Sequence, residues 1–392
     1  MRTLSALALP LVVAGCFGPP SHVDSSASLT VGGTAQRESG SADGAANVLL
    51  IRHPDALQAI GDVITIVGSI GLACVVGNDS LCSPYSRAAA GNDGRYTFPA
   101  IHGGDTKGST GEALLFSTWL SGPAAIAPAT APAGVEADFY IQEDQVAVPT
   151  LRLWESAGSE SDDATGQAQF SWPSLESSIG QAAGDYRVQI ATANGQTIWS
   201  AKTSSTSLGI DARVTQDFAG SWTTRAHTKV AGDATDFDLT WYAPASSWAS
   251  RGLVPLSRGK DCFLQGANGP VLQSPCALTD GNLATSLTPL SAPACPSGQT
   301  CTPPAQNNWV YVDLGAPTAV GALVLYDVNF GGALSATVEG SLDATTWTTL
   351  GLATSSPYSL IDLSGTARYV RLRLDDPNAQ LSAGGNSEIA IF

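Results

Sequence analysis

From residue 47 onward the chain is written in short runs of Val, Ile, Thr and aromatic residues, broken every few positions by Gly, Asn, Asp or Pro. The runs "DVITIVGSI" (62–70), "GRYTFPAI" (94–101), "ALLFSTWL" (113–120), "DFYIQ" (138–142) and "VPTLRLW" (148–154) have the length and side chains of strands. Alternation is cleanest in "YRVQI", which sends Tyr186, Val188 and Ile190 inward, and the Asn194-Gly195 pair that follows predicts a hairpin. In "RYVRLRL" it turns Val370, Leu372 and Leu374 to the core and Arg371 and Arg373 away. "WVYVDLG" puts Val310, Val312 and Leu314 on one face and Trp309, Tyr311 and Asp313 on the other, so one of its faces is mixed. No stretch of 47–392 carries a long helical period with caps. The pattern predicts an all-β chain of three consecutive β-sandwich domains.

The N-terminus departs from this pattern. Arg2, an apolar run over 4–13 and "VAGC" (13–16) resemble a bacterial lipoprotein signal. The resemblance implies that residues 1–15 are removed and that Cys16 is lipidated. No other apolar run approaches the roughly 20 residues of a membrane-spanning helix, so the expectation is a soluble body held to the cell envelope by lipid. The outer membrane, on its periplasmic or cell-surface face, is the expected location. Residues 16–46 are rich in Ser, Gly and Ala without a sustained period, and read as a flexible tether.

Within the body, residues 47–148 resemble a carboxypeptidase-regulatory-like sandwich, on the strength of "AAAGNDGRYTFPAI", with Tyr96 and Phe98 on one face. The Pro/Ala-rich segment 121–134 reads as a long loop of that unit. Residues 149–248, with Trp172, Tyr186 and Trp199 in that order, are similar to fibronectin type III domains, whose cores use such aromatics. Trp347, in a turn of the last block, reads as a packing residue.

Residues 254–392 carry a longer series: "PLSRGKDC", "CALTDGNLAT", "NNWVYVDLG", "GALVLYDV", "ATVEGSLDATTWTTL", "ARYVRLRL" and "NSEIAIF". In that order they resemble the discoidin domain, also called the coagulation factor V/VIII type C domain, of the galactose-binding-like fold. The fold implied is an antiparallel jelly roll. Relatives commonly hold a structural calcium ion in the bend after the first strands. By that resemblance Asp280 and Glu388 supply carboxylates, Thr285 a hydroxyl and carbonyl, and Ala277, Asn282 and Ser387 carbonyls. The residues themselves suit a hard cation, which takes about six to eight oxygens, and Gly281 permits the bend. Leu287 stands where many relatives have Trp, and the insertion "TPLSAPACPSGQTC" follows it.

Cysteines and charge refine the picture. With Cys16 lipidated, Cys74, Cys82, Cys262, Cys276, Cys295 and Cys301 remain, an even number that in an exported chain reads as three disulfides. Cys74 and Cys82 should pair. The other four allow three pairings, of which the local one, Cys262 with Cys276 and Cys295 with Cys301, is favoured. No CxxC occurs and no histidine sits at finger-like spacing, so zinc is not expected, and a formal net charge of −16 disfavours nucleic acid and anionic lipid headgroups as partners. Four histidines, His22, His53, His102 and His227, lie in unrelated contexts, and neither GxSxG nor HExxH occurs. Glu155, Glu160, Asp162 and Asp163 read as solvated acids of a loop or a loose cation site, and His227 as a structural or surface residue.

These readings converge on a non-enzymatic envelope lipoprotein that attaches to a glycan or polysaccharide through its C-terminal domain. Asn329, Phe330 and Tyr358 are the candidate ligand-binding residues, an aromatic ring under a pyranose and directional hydrogen bonds being what a sugar requires. The alternative is a structural or protein-binding lipoprotein with an envelope protein partner, its sandwiches acting as spacers.

Overall fold

The computed structural model describes residues 19–53, 85–121, 133–287 and 307–392, apart from 45, 109–110, 164–166, 234, 355 and 357. The signal, Cys16, Cys74, Cys82, Cys295, Cys301, the run 62–70 and most of the segment 121–134 lie outside the described residues.

Alternating segments become strands nearly throughout. In chain order they are β1 (Ser28–Gln36), β2 (Asn47–Arg52), β3 (Ser86–Ala89), β4 (Arg95–His102), β5 (Leu115–Ser121), β6 (Gly134–Tyr140), β7 (Gln145–Ala147) and β8 (Leu151–Arg152). Then come β9 (Ser159–Asp162), β10 (Ala168–Ser171), β11 (Asp185–Thr192), β12 (Thr197–Thr203), β13 (Ser207–Ile210), β14 (Gly220–Val230), β15 (Phe237–Tyr242) and β16 (Ser246–Trp248). The last third adds β17 (Cys262–Gly266), β18 (Gly269–Gln273), β19 (Trp309–Asn329), β20 (Ser335–Ser341), β21 (Thr348–Thr354), β22 (Tyr358–Leu374) and β23 (Ser382–Ile391). Among the described residues α-helix is confined to Leu175–Ile179 and Ala212–Thr215, and no helix is long and apolar enough to cross a membrane.

The segment expected as a tether is largely built into the fold. β1 pairs antiparallel with β4 and parallel with β7 and β8, and its Leu29, Val31 and Ala35 are fully buried. Its small residues serve close packing rather than flexibility: a Cβ on Gly33 would stand 2.5 Å from the Tyr96 hydroxyl.

The blocks 47–148 and 149–248 are likewise not separate units. They share a nine-stranded sheet of order β12-β11-β14-β15-β6-β5-β2-β3, with β16 added on β14. The seam is the antiparallel pair β6–β15, where Asp138 faces Asp238 and Glu136 faces Thr240. Val135, Ala137 and Phe139 from one strand and Phe237, Leu239 and Trp241 from the other are buried on the same face, in one core with Phe170, Trp172 and Trp222. Joining the strands leaves neither edge open. Two smaller sheets, β4-β1-β7 with β8 and β13-β10-β9, complete this part. Tyr186, Val188 and Ile190 point inward as expected, and the hairpin turns at Gly195 with φ +80°. The acids of 155–163 are not simply solvated: Arg251 pairs with Glu160 and Asp162, and Arg37 with Glu155.

The C-terminal residues form one antiparallel sheet, β18-β17-β19-β22-β20-β21, with β23 added on β19. The long pair β19–β22 changes register between Asp313 and Thr318 and again between Val320 and Ala322, and bulges of this kind bend a strand. Val310, Val312, Val370, Leu372 and Leu374 fill its core. On the opposite face Tyr311 stacks between Phe263 and Trp309 at centroid distances of 4.7 and 5.6 Å. Arg371 lies 3.9 Å from the ring centroid of the half-buried Trp347, which also leans on Tyr311 at 5.6 Å.

Cys262 and Cys276 form the favoured local disulfide, both residues being buried. With a sequence separation of 14, its removal should cost about 3 kcal/mol through the freedom returned to the unfolded chain. Urea denaturation of Cys262→Ser/Cys276→Ser is expected to show that loss; an unchanged midpoint would contradict it.

Candidate functional site

The bend after β18 and the acid in β23 meet. Gly281 takes φ +76°, the Asn282 amide donates to Asp280 Oδ1 at 2.8 Å, and Ile389 N donates to Leu278 O at 2.7 Å, fixing the loop against β23. Glu388 is 1% exposed. Its Oε1 accepts from the Gly281 amide at 3.0 Å, while its Oε2 is buried with no hydrogen-bond partner. Burial above all, with the charge of Asp280 added, pushes the Glu388 carboxyl up to about 8, against the pull of the Gly281 amide and Arg258.

The remaining oxygens converge on one hydroxyl. Thr285 Oγ1 lies 2.7 Å from Asn282 O, 3.0 Å from Asp280 Oδ2 and 3.3 Å from Ala277 O. A hydroxyl has a single proton to donate, so these acceptors outnumber the donors holding them. An orphaned carboxylate oxygen beside crowded oxygens fits a hard cation. Arg258 is the cation in place, its guanidinium over Gly281 and hydrogen-bonded to both carboxylate oxygens of Asp217. Ser387, expected to offer its carbonyl, uses its hydroxyl on Asp327 O at 2.7 Å.

The three candidate ligand-binding residues are placed differently from one another. Phe330 is 1% exposed and belongs to the C-terminal core, so its ring offers no face to a sugar. Gly331 and Gly332, at φ +58° and +94°, reverse the chain and drive that ring inward. Asn329 is exposed, and its Oδ1 accepts from the Gly331 amide at 2.7 Å, closing the same turn. Tyr358 opens β22 and does reach a cleft.

That cleft, of about 470 Å³, is lined by Trp199, Thr354, Ser356, Tyr358, Ser359 and Asp362 among others. Trp199 comes from edge strand β12 and is half-buried, a departure from the core role expected of it. Its ring lies 6.4 Å from that of Tyr358. Alternation identifies such a residue as a strand aromatic and is silent on which domain will stand opposite. The two walls are held by a buried joint: Tyr326 OH donates to Val214 O at 2.6 Å and accepts from Gln216 Nε2 at 2.5 Å. Arg213 adds a contact to Asp362 at 3.3 Å. Burial pushes the Tyr358 phenol up to about 12, keeping it a neutral hydrogen-bonding group at physiological pH.

Comparison with known proteins bears on the C-terminal part. The family model described as a NedA-like, galactose-binding domain of the F5/F8 type C group matches residues 277–372. Among solved structures, chitosan-binding module 2 of a chitosanase/glucanase from Paenibacillus sp. IK-5, in complex with chitotriose, is 20% identical, with 34% of this chain and 98% of that chain covered and a TM-score of 0.24. The module CpGH89CBM32-6 produced by Clostridium perfringens is 20% identical, with 35% and 98% covered and a TM-score of 0.24. CpGH89CBM32-5 from Clostridium perfringens, in complex with GalNAc-beta-1,3-galactose, is 12% identical, with 36% and 98% covered and a TM-score of 0.23. No curated protein matches the chain.

Proposed function

We propose that the protein is a non-enzymatic, lipid-anchored protein of the cell envelope that attaches to carbohydrate, and that the sugar lies in the cleft that Trp199 and Tyr358 line together. The observation that carries this reading is the pairing of two aromatic rings with hydroxyls and an acid in one cleft, beside a domain matched by a galactose-binding family model. Rings cover the apolar face of a pyranose, and Ser, Thr and Asp side chains answer its hydroxyls. A calcium ion held by Asp280, Glu388, Thr285 and the carbonyls of Ala277, Asn282 and Ser387 would brace the loop under β23 and take no part in chemistry. The rival reading, a structural or protein-binding lipoprotein, draws on the buried joint at Tyr326, which would suit a rigid spacer.

A glycan array probed with the full chain tests the proposal. Binding of a defined sugar is expected, weakened by roughly tenfold or more in Trp199→Ala and in Tyr358→Ala, each of which removes a stacking surface. An array with no signal, or binding indifferent to both substitutions, would remove the cleft from consideration.

A further inference from the structure

The nine-stranded sheet has a second face, opposite the one that carries Phe116, Ala137, Phe139 and Leu239, and it is crowded with ionisable groups. Strand register sets Ser117, Asp138 and Asp238 in one row across β5, β6 and β15. Trp119, Glu136, Thr240 and His227 form the next row. His53 follows β2 and continues its pairing, its amide donating to Leu115 O at 2.9 Å. The His53 ring Nε2 lies 2.5 Å from the Ser117 hydroxyl, which donates to Asp138 Oδ1.

One ligand atom each from His53, Glu136 and Asp138 lies within 4.8 Å of the others, and all three residues are half-buried. Zinc holds its ligands at about 2.0–2.2 Å, which sets donors within about 4 Å of one another, so small side-chain shifts close the triad on an ion. The donors are already oriented from outside: the Tyr242 hydroxyl donates to Glu136 Oε2 at 2.9 Å, and Ser117 bridges His53 and Asp138. Such outer partners are what hold metal ligands in place.

Charge argues in the same direction. Among the described residues neither Glu136 nor Asp138 forms an ion pair with Lys or Arg. Arg225 lies over the Tyr242 ring at 5.0 Å and on Gln189, and reaches Glu136 through its charge alone, without an ion-pair contact. His227 makes its contacts with Asp238 and Asp185, and its charge, like that of Asp238, also acts on Asp138. Burial, then the neighbouring Asp138 charge, pushes Glu136 up to about 7, while burial also raises Asp138 and lowers His53.

We propose that His53, Glu136 and Asp138 form a binding site for a divalent transition-metal ion of zinc's class, pinning the end of β2 to β6 across β5. The imidazole nitrogen separates this site from the all-oxygen loop at 277–285: it suits zinc and its neighbours and is foreign to calcium and magnesium. Three protein ligands leave a fourth position for water or for an outside group.

Titration calorimetry of the metal-stripped full chain with zinc chloride, in excess calcium throughout, provides the test. One-to-one binding that calcium does not displace is expected, weakened by more than about tenfold in His53→Gln and in Asp138→Asn and unchanged in His102→Gln, an exposed control. Circular dichroism of the stripped variants separates loss of the site from loss of the fold. The proposal is overturned if the wild type takes up no zinc, if calcium displaces it, or if both substituted chains bind as the wild type does.

Discussion

At pH 8, Glu388→Gln is expected to raise the calcium-free melting temperature of the full chain and, at the same time, to abolish the increase that calcium brings to the wild type. The carboxyl stands at about 8 in the folded protein against an ordinary 4.5. Between those values the folded state keeps a proton that the unfolded state releases, so stability falls as pH rises through the window and the full cost is present above about pH 8. A shift of that size corresponds to a few kcal/mol, and for a domain of this size to roughly 5 °C or more. Gln keeps an oxygen for the Gly281 amide and carries no charge, so it removes the cost. It also removes the carboxylate a cation would need. Calorimetric scans of both proteins at pH 5 and pH 8, in calcium and in chelator, check this; the two chains should converge at pH 5. Identical wild-type midpoints in calcium and chelator at pH 8 would remove the cation from the account.

Phe330→Ala is expected to cost about 3–5 kcal/mol of stability, the usual penalty for emptying a buried aromatic site, and to leave sugar affinity per folded molecule as it was. The ring is enclosed in the C-terminal core, so its loss makes a cavity instead of erasing a contact with ligand. Denaturant unfolding gives the first quantity and titration of the folded fraction the second. Wild-type stability together with lost binding would return Phe330 to the site.

These two residues show where sequence was sufficient and where it was not. Glu388 was legible because a family resemblance ties it to the Asp280 bend, and the fold brings the two ends together, Glu388 accepting from the Gly281 amide at 3.0 Å. The inward sets Val188, Ile190 and Val370, Leu372, Leu374 were legible for a more local reason, since a period of two is written into the strand itself. Phe330 reads as a loop aromatic because burial there depends on a reversal at Gly331, where a Cβ would meet Gln380 O at 2.1 Å. Trp199 and the triad of His53, Glu136 and Asp138 are joined by contacts between distant segments, and no local pattern announces them. β1 was hidden by its glycines, whose composition is that of a linker and whose service is to let Tyr96 lie close.

The seam between β6 and β15 also governs how the protein can come into being. Its partners are about a hundred positions apart along the chain, and closing so long a loop must be offset before any contact rewards it. As the chain leaves the ribosome, β5 and β6 must wait with one flank bare until β15 emerges. That interval is when an unpaired strand is open to the wrong neighbour. A chain cut at residue 148 would carry the same bare flank permanently, so the first half is a poor candidate for life as an independent unit.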